Sequence, residues 1–329
     1  MQAIGAEARS KRVIRLLLCA RHENKDSAAR GAVIVRMKCR SHVSQKESRM
    51  RIVARIVLAA LGLLALGTNA RGQTVDAPQS TPQTQQTVQS PDEITAVPNR
   101  PTFASTAEMV QLGVFEIEYG FEAAQGHQNI NGLLKWGVVK NLELWFLNNP
   151  IERDAGTAGL GDSGAGFKYK LFPQKSARPT VSILYVATIP TARPELGAGA
   201  VAHLVQILVS KDFGKHHFDV NQGVQFVGRP QVGGFDRRYF TALSYSRPLQ
   251  GKWGYTGEIA GYSWQNANTA ATLTLLNAAT YNLSSRLVLD GGAYFAAYGQ
   301  LPRFTVFAGL TYSIANLYHL HRAQPSRKN

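Results

Sequence analysis

Cysteine is nearly absent: Cys19 and Cys39 are the only two, and both precede residue 50. Everything downstream can form neither a disulfide nor a thiolate metal site, which suits a chain that crosses an oxidising compartment unpaired. A long hydrophobic run is missing as well. The longest, residues 56–67, spans about twelve residues against the roughly 20 that a spanning helix needs. Gly-x-Ser-x-Gly and His-Glu-x-x-His do not occur, and the Gly-x-Gly pairs lie in strand-like segments rather than at a strand-to-helix turn. No amphipathic helix pattern appears after residue 100.

The charge is basic, +15, but unevenly spread. Residues 1–49 hold 12 Lys/Arg and 4 Asp/Glu (+8), residues 50–100 hold 4 and 3 (+1), and residues 101–329 hold 20 and 14 (+6). The body is therefore only mildly basic, with scattered cations and no basic helix or aromatic-lined patch, so nucleic acid is not expected as a partner.

Arg51 and Arg55 precede the apolar run 56–67, and small residues suited to cleavage after Ala70 or Gly72 follow it. Residues 50–72 read as a secretory signal peptide. An export signal starting at Met50 implies that residues 1–49 are a non-native or disordered extension. Residues 73–99, rich in Gln, Thr, Ser and Pro, read as a disordered linker.

From Pro101 onward the sequence changes to segments of about ten residues with alternating polarity, separated by Gly, Pro, Asn or Asp. In the first, Phe115, Ile117, Tyr119 and Phe121 alternate with Glu116, Glu118 and Glu122. A two-residue period gives a strand with unlike faces. Later segments repeat it: Phe167, Tyr169 and Leu171 oppose Gly166, Lys168 and Lys170, and Phe218, Val220 and Phe226 oppose Asp219, Asn221 and Gln225. Residues 253–264 and 271–281 alternate poorly. Twelve such segments are expected between residues 113 and 314, with a tail over 315–329. Connections after odd segments (124–129, 149–161, 190–200, 228–237, 265–270, 299–303) are mostly longer than those after even ones (140–141, 172–179, 212–216, 248–252, 282–286). That asymmetry, together with an even strand count, is the mark of a transmembrane barrel with short periplasmic turns and long external loops. The expected fold is an all-β, single antiparallel up-and-down transmembrane β-barrel of about twelve strands, residues 100–314, in the outer membrane of a Gram-negative-type bacterium. The aromatic face of the first strand should meet lipid. Trp136, Trp145, Tyr239, Tyr255, Trp264, Tyr281, Tyr298 and Tyr312 lie toward strand ends, where interfacial girdles form.

Residues 99–103 (NRPTF), the first strand, and residues 159–169 (GLGDSGAGFKY) resemble the outer-membrane transporter family named "MetA-pathway of phenol degradation". The resemblance covers roughly residues 97–314. It implies an outer-membrane barrel for uptake of small, often aromatic or apolar compounds, and it carries over no catalytic residue.

Twelve strands fall between the eight whose side chains fill a barrel and the sixteen that leave a wide channel, so a narrow lumen is expected. By register it is lined by Glu116, Glu118, Glu122, Lys135, Lys168, Lys170, Asp219, Asn221, Gln225 and Asp290, either as a polar pore that orients a solute or as charges that only neutralise one another. Residues 98–113 are expected as a periplasmic lead-in near the inner rim, the alternative being a small plug in the barrel mouth. The function expected is a passive channel for small molecules, without cofactor, metal or catalytic residues. Its partners are membrane lipid, the solute and the barrel-assembly machinery during insertion; a closed barrel has no edge that requires a second chain. The competing classes are a barrel enzyme acting on lipid acyl chains and a non-conducting structural barrel. His127, His203, the pair His216–His217, and His319-x-His321 are the sparse candidates for the enzyme.

Overall fold

The computed structural model describes residues 93–266, 269–299 and 302–318. The expected signal peptide, the upstream extension and linker residues 73–92 lie outside the described residues, as do His319 and His321. Among the described residues no helix is long and apolar enough to cross a membrane.

Strands β1 (Val114–Ala124), β2 (His127–Val139), β3 (Leu142–Asp154), β4 (Thr157–Gly159), β5 (Ser163–Phe172), β6 (Thr180–Ile189) and β7 (Ala202–Phe213) form the first half. Strands β8 (His216–Gly228), β9 (Phe235–Pro248), β10 (Trp253–Tyr262), β11 (Thr272–Asn282), β12 (Leu287–Tyr298) and β13 (Phe304–Asn316) complete it. Each long strand pairs antiparallel with its sequence neighbours, and β1 pairs with β13 from Val114↔Asn316 to Ala124↔Thr305, which closes the sheet. Short β4 pairs only with the end of β3, Asp154↔Thr157, so the barrel has twelve staves and one protruding hairpin. Closure satisfies every stave's backbone groups through its neighbours, the condition for a sheet to sit in hydrocarbon.

Connections at the β2–β3, β7–β8, β9–β10 and β11–β12 end are short. Lys140–Asn141 and Gly214–Lys215 are two-residue turns whose Asn141 (φ 68°) and Gly214 (φ 58°) adopt the left-handed conformation that such hairpins require. The opposite end carries the longer loops, 190–201 and 263–271 among them. One departs from expectation: 124–129 is not a loop but a two-residue turn at Gln125–Gly126, since the β1–β2 ladder runs to Ala124↔His127.

The two faces separate as the alternation requires. Glu116 and Glu118 are 0% and 1% exposed, while Phe121 on the other face is 45% exposed. Phe146, Tyr169, Ile207, Ile259, Leu275 and Phe295 lie on the outside likewise, forming a belt that meets lipid. Trp145 is a correction: it is buried and faces inward, with its indole N–H donated to Glu143, so it belongs to the interior and not to a girdle.

A charge on the lipid face is costly at mid-membrane, so Ile207→Arg, in the middle of β7, should lower the stability of the vesicle-embedded barrel by about 2–4 kcal/mol. Urea titration of folding into lipid vesicles measures this, and an unchanged midpoint would contradict the placement of the belt.

Candidate functional site: a backbone ring inside the barrel

The segment before β1 does not stay outside. Residues 97–111 run within the lumen, so the lead-in expectation fails and the plug alternative describes the structure; of the linker, Ala96, Val97 and Asn99 are bonded to the wall and Glu93 and Thr95 to Gln111. The chain enters at the short-turn end, where Ala96 N–H donates to Ser285 O in the β11–β12 turn. Val97 and Asn99 meet Glu116 and Glu118 on β1. Arg100 reaches Asp290 on β12, and Ala104 reaches Glu258 on β10. Ser105 meets Asn221 on β8, Ala107 meets Ser210 on β7 and Ser182 on β6, and Glu108 meets Lys170 on β5. Val110 then meets Glu143 on β3, and Gly113 donates to Gly137 on β2. The contacts step around the barrel in one direction and return to their start. The segment is one complete turn.

The dimensions agree. Twelve strands spaced about 4.8 Å apart and tilted by about 40° give a wall circumference near 75 Å and a radius near 12 Å. Fourteen extended residues at about 3.3 Å each span about 46 Å, a circle of radius near 7 Å. The gap of about 5 Å is one layer of side chains.

That layer is matched to the ring's backbone. An extended strand without a neighbouring strand leaves its N–H and C=O groups unpaired, and buried ones must find partners. The wall supplies acceptors as carboxylates: Glu116 accepts from Val97 N–H (2.9 Å), Glu118 from Asn99 (3.0 Å) and Arg100 (2.9 Å), Glu258 from Phe103 (2.8 Å) and Ala104 (2.6 Å), and Glu143 from Val110 (2.7 Å). It supplies donors as lysines and hydroxyls. Lys135 donates to Val97 O (2.5 Å), Lys168 to Thr106 O (3.2 Å) and Glu108 O (2.5 Å), and Ser182 to Ala107 O (2.6 Å). Asn221 does both, accepting from Ser105 N–H at 2.6 Å and donating to Ser105 O at 2.9 Å.

The buried charges also pair with one another. Lys135 stands 2.5 Å from both Glu116 and Glu118, and Lys168 stands 3.2 Å from Glu143; Glu116–Lys135 and Glu143–Lys168 are direct cross-strand neighbours. Lys170 pairs with Glu108 of the ring at 2.6 Å. The Glu108 carboxylate, which also accepts from the Thr180 hydroxyl, titrates below its ordinary value: burial acts to raise it, and the bonds from Lys170 and Thr180 with the charges of Lys170 and Lys168 outweigh that effect.

Arg100 holds the ring to the closing seam. Its Nε and Nη2 donate to the two Asp290 oxygens at 3.2 and 3.1 Å, and its Nη1 to Asn131 at 3.1 Å. The guanidinium lies against Gly120 and Gly309, where an added Cβ would stand 2.0 and 2.3 Å from it. Only glycine leaves that space.

Of the residues expected from register, Glu116, Glu118, Lys135, Lys168, Lys170, Asn221 and Asp290 bond to the ring directly. Asp219 touches it through Ser210, whose hydroxyl donates to Asp219 at 2.5 Å while accepting from Ala107 N–H at 2.7 Å. Glu122 and Gln225 lie nearer the long-loop end, Glu122 with Asn131 (3.0 Å) and Tyr294 (3.2 Å), Gln225 with Arg238 (2.7 Å). Sequence reasoning missed Glu143, Glu258, Ser182, Ser210 and Arg100. Glu143 was legible as a lone charge in phase with the other inward residues of its strand.

Beyond the ring, toward the long-loop end, apolar groups of inward side chains stand among polar ones such as Gln206, Thr274, Glu122 and Gln225. Leu184, Val186 and Leu208 pack with Trp145 over Ala107; Phe240, Ala242 and Ala260 pack over Ala104; Leu276 and Phe307 pack with Tyr294, which meets Phe103 of the ring at 5.1 Å. On the short-turn side a cavity of about 590 Å³ opens, lined by the polar side chains of Ser244, Thr256, Thr280, Asn282 and His217 together with Pro248, Trp253, Val288 and ring residues Val97, Pro98 and Pro101.

The histidines fall elsewhere. His127 ends β2 beside Glu152 at 3.5 Å, and His203 faces outward, bonded to Tyr185 at 2.9 Å. His216 meets Tyr245 (2.8 Å), and His217 sits between Asp212 (2.6 Å) and Asp219 (3.1 Å). Ser210 and His217 thus share Asp219, but the serine donates to the carboxylate and not to the imidazole, which is not the arrangement of an activated nucleophile. Among the described residues no group of three or more His, Cys, Asp or Glu has the geometry of a metal site.

Lys135→Met would leave Glu116 and Glu118 buried without their cation, a loss of about 3–5 kcal/mol. Adding Glu116→Gln and Glu118→Gln should restore much of it. Equal urea midpoints for the wild type and the single variant would contradict the pairing.

No protein family matches the chain, and no curated protein is similar to it. Solved structures are similar in fold. The COG4313 outer membrane channel from Pseudomonas putida F1 superposes with a TM-score of 0.54 at 14% identity, covering 65% of this chain and all of that one. The NanC porin gives 0.48 at 10% identity over 61% of this chain and all of its own. Closed twelve-stave wall, apolar belt and shared fold together place the chain among the outer-membrane β-barrels.

Proposed function

We propose that this barrel is a passive channel for small apolar or aromatic molecules, with residues 97–111 as its constriction. The observation that carries this reading is the change of lining along the lumen. A solute entering from the long-loop end meets apolar groups at Leu184, Val186, Phe240, Leu276 and Phe307, then the ring, then a cavity at the short-turn end where the hydroxyls of Ser244, Thr256 and Thr280 stand beside Pro248 and Val288. The apolar groups favour an apolar solute on entry, and the hydroxyls among the lining of the lower cavity give water partners at the exit. The resemblance of residues 99–103 and 159–169 to the MetA-pathway family agrees with that solute class. An acyl-transferring enzyme lacks comparable support, because the Ser210 hydroxyl is already committed to Asp219.

The ring narrows the passage from all sides, since it runs the whole way round and is bonded to the wall. Deleting residues 97–111 should raise single-channel conductance in planar bilayers several-fold and abolish block by benzyl alcohol, a neutral aromatic probe. A folded deletion variant with wild-type conductance would overturn the ring as the constriction. A wild-type barrel that neither binds benzyl alcohol nor is blocked by it would overturn the apolar path.

A further inference from the structure

Arg238, on β9 near the long-loop mouth, faces the lumen on the same side as Phe240. Its guanidinium lies 4.1 Å over the ring of Tyr262, and its Nε donates to Gln225 Oε1 at 2.7 Å. Stacking and one hydrogen bond fix the plane of the group. No carboxylate neutralises it among the described residues, and its two terminal nitrogens have no protein partner there. Asp236, two residues away on the same face, is already held by Asn266 (2.6 Å) and Arg229 (3.6 Å). Every other inward cation named above is tied to an acid: Arg100 to Asp290, Lys135 to Glu116 and Glu118, Lys168 to Glu143, Lys170 to Glu108.

A fixed guanidinium with its outer edge free presents two parallel N–H donors, the geometry that a carboxylate takes up bidentately. Immediately below it, Tyr262 and Phe240 pack at 4.9 Å between centroids, and Phe240 leads on to Ala104 of the ring. Cation and apolar wall are therefore contiguous, with the cation at the entrance and the wall beneath. We propose that this half of the lumen selects apolar molecules bearing one carboxylate, with Arg238 binding the carboxylate and the wall of Tyr262 and Phe240 binding the apolar body. The proposal deepens the channel reading and rests on it.

The test compares benzoate with benzyl alcohol, and octanoate with octanol, by ligand-observed NMR on the full barrel in nanodiscs of zwitterionic lipid. Benzoate and octanoate should bind about tenfold more tightly than their alcohols, and Arg238→Gln should remove that advantage while leaving the alcohols unchanged; Arg238→Lys should retain part of it. Gln keeps a donor for Gln225, and heat-modifiable migration on gels checks that the variant folds. If the alcohols bind and the carboxylates bind no better, or if Arg238→Gln weakens acid and alcohol alike, the assignment fails while the apolar channel stands. If none of the four binds, both fail together.

Discussion

An extended backbone crossing the inside of a barrel has no neighbouring strand with which to pair. Its N–H and C=O groups along residues 97–111 find partners on side chains, a few within the segment itself and most on the wall, and much of the interior follows from that need. Carboxylates stand where the ring turns N–H groups outward, and lysines and hydroxyls where it turns carbonyls outward. The carboxylates and lysines are then close enough to pair with one another, so one set of buried charges serves as hydrogen-bonding partner and as counter-ion. Burying such charges unmatched is prohibitive, and matching them fixes the geometry more than it adds stability. Glu258 differs: its carboxylate accepts from Phe103 and Ala104 N–H, and among the described residues no cation pairs with it.

The same division explains how the lumen can be polar and apolar at once. The ring level needs polar walls to hold the ring. Among the described residues the half toward the long loops carries no backbone segment packed like the ring, and its walls include Leu184, Val186, Phe240 and Phe307. A purely polar interior would need no apolar side chains; this interior instead sets apolar groups above the level at which the ring is bonded.

Much of the wall could be read from sequence because a two-residue period with one charged and one aromatic phase admits a single assignment of faces, as at Glu116 and Phe121 or Lys168 and Phe167. The period blurred where the lumen itself is apolar. In β11, Leu276 and Ala278 face inward while Leu275 and Ala279 face outward, so both phases look alike. Glu258 was hidden in β10 for a related reason: glycines and small residues flank it on both faces. The ring was the largest surprise. Residues 97–111 have neither helical nor alternating period, since their partners are side chains distant in sequence, such as Asn221 and Ser210, and local patterning does not encode such pairings. The stretch reads as a lead-in, or at most a small plug, because nothing local to it marks a path around the lumen. Its single conspicuous cation, Arg100, makes sense only beside Gly120, Gly309 and Asp290, which three separate strands contribute.

The measurement that tests this account most directly is a cross-link between ring and wall. Thr106 Oγ1 and Ser210 Oγ are 3.2 Å apart although 104 residues separate them. Thr106→Cys with Ser210→Cys, in a chain whose Cys19 and Cys39 are replaced, should oxidise to a disulfide in intact membranes and hold the channel in its low-conductance state until reduced. A correctly folded double variant whose thiols remain free under oxidant would show that the segment does not encircle the lumen, and the account would be wrong.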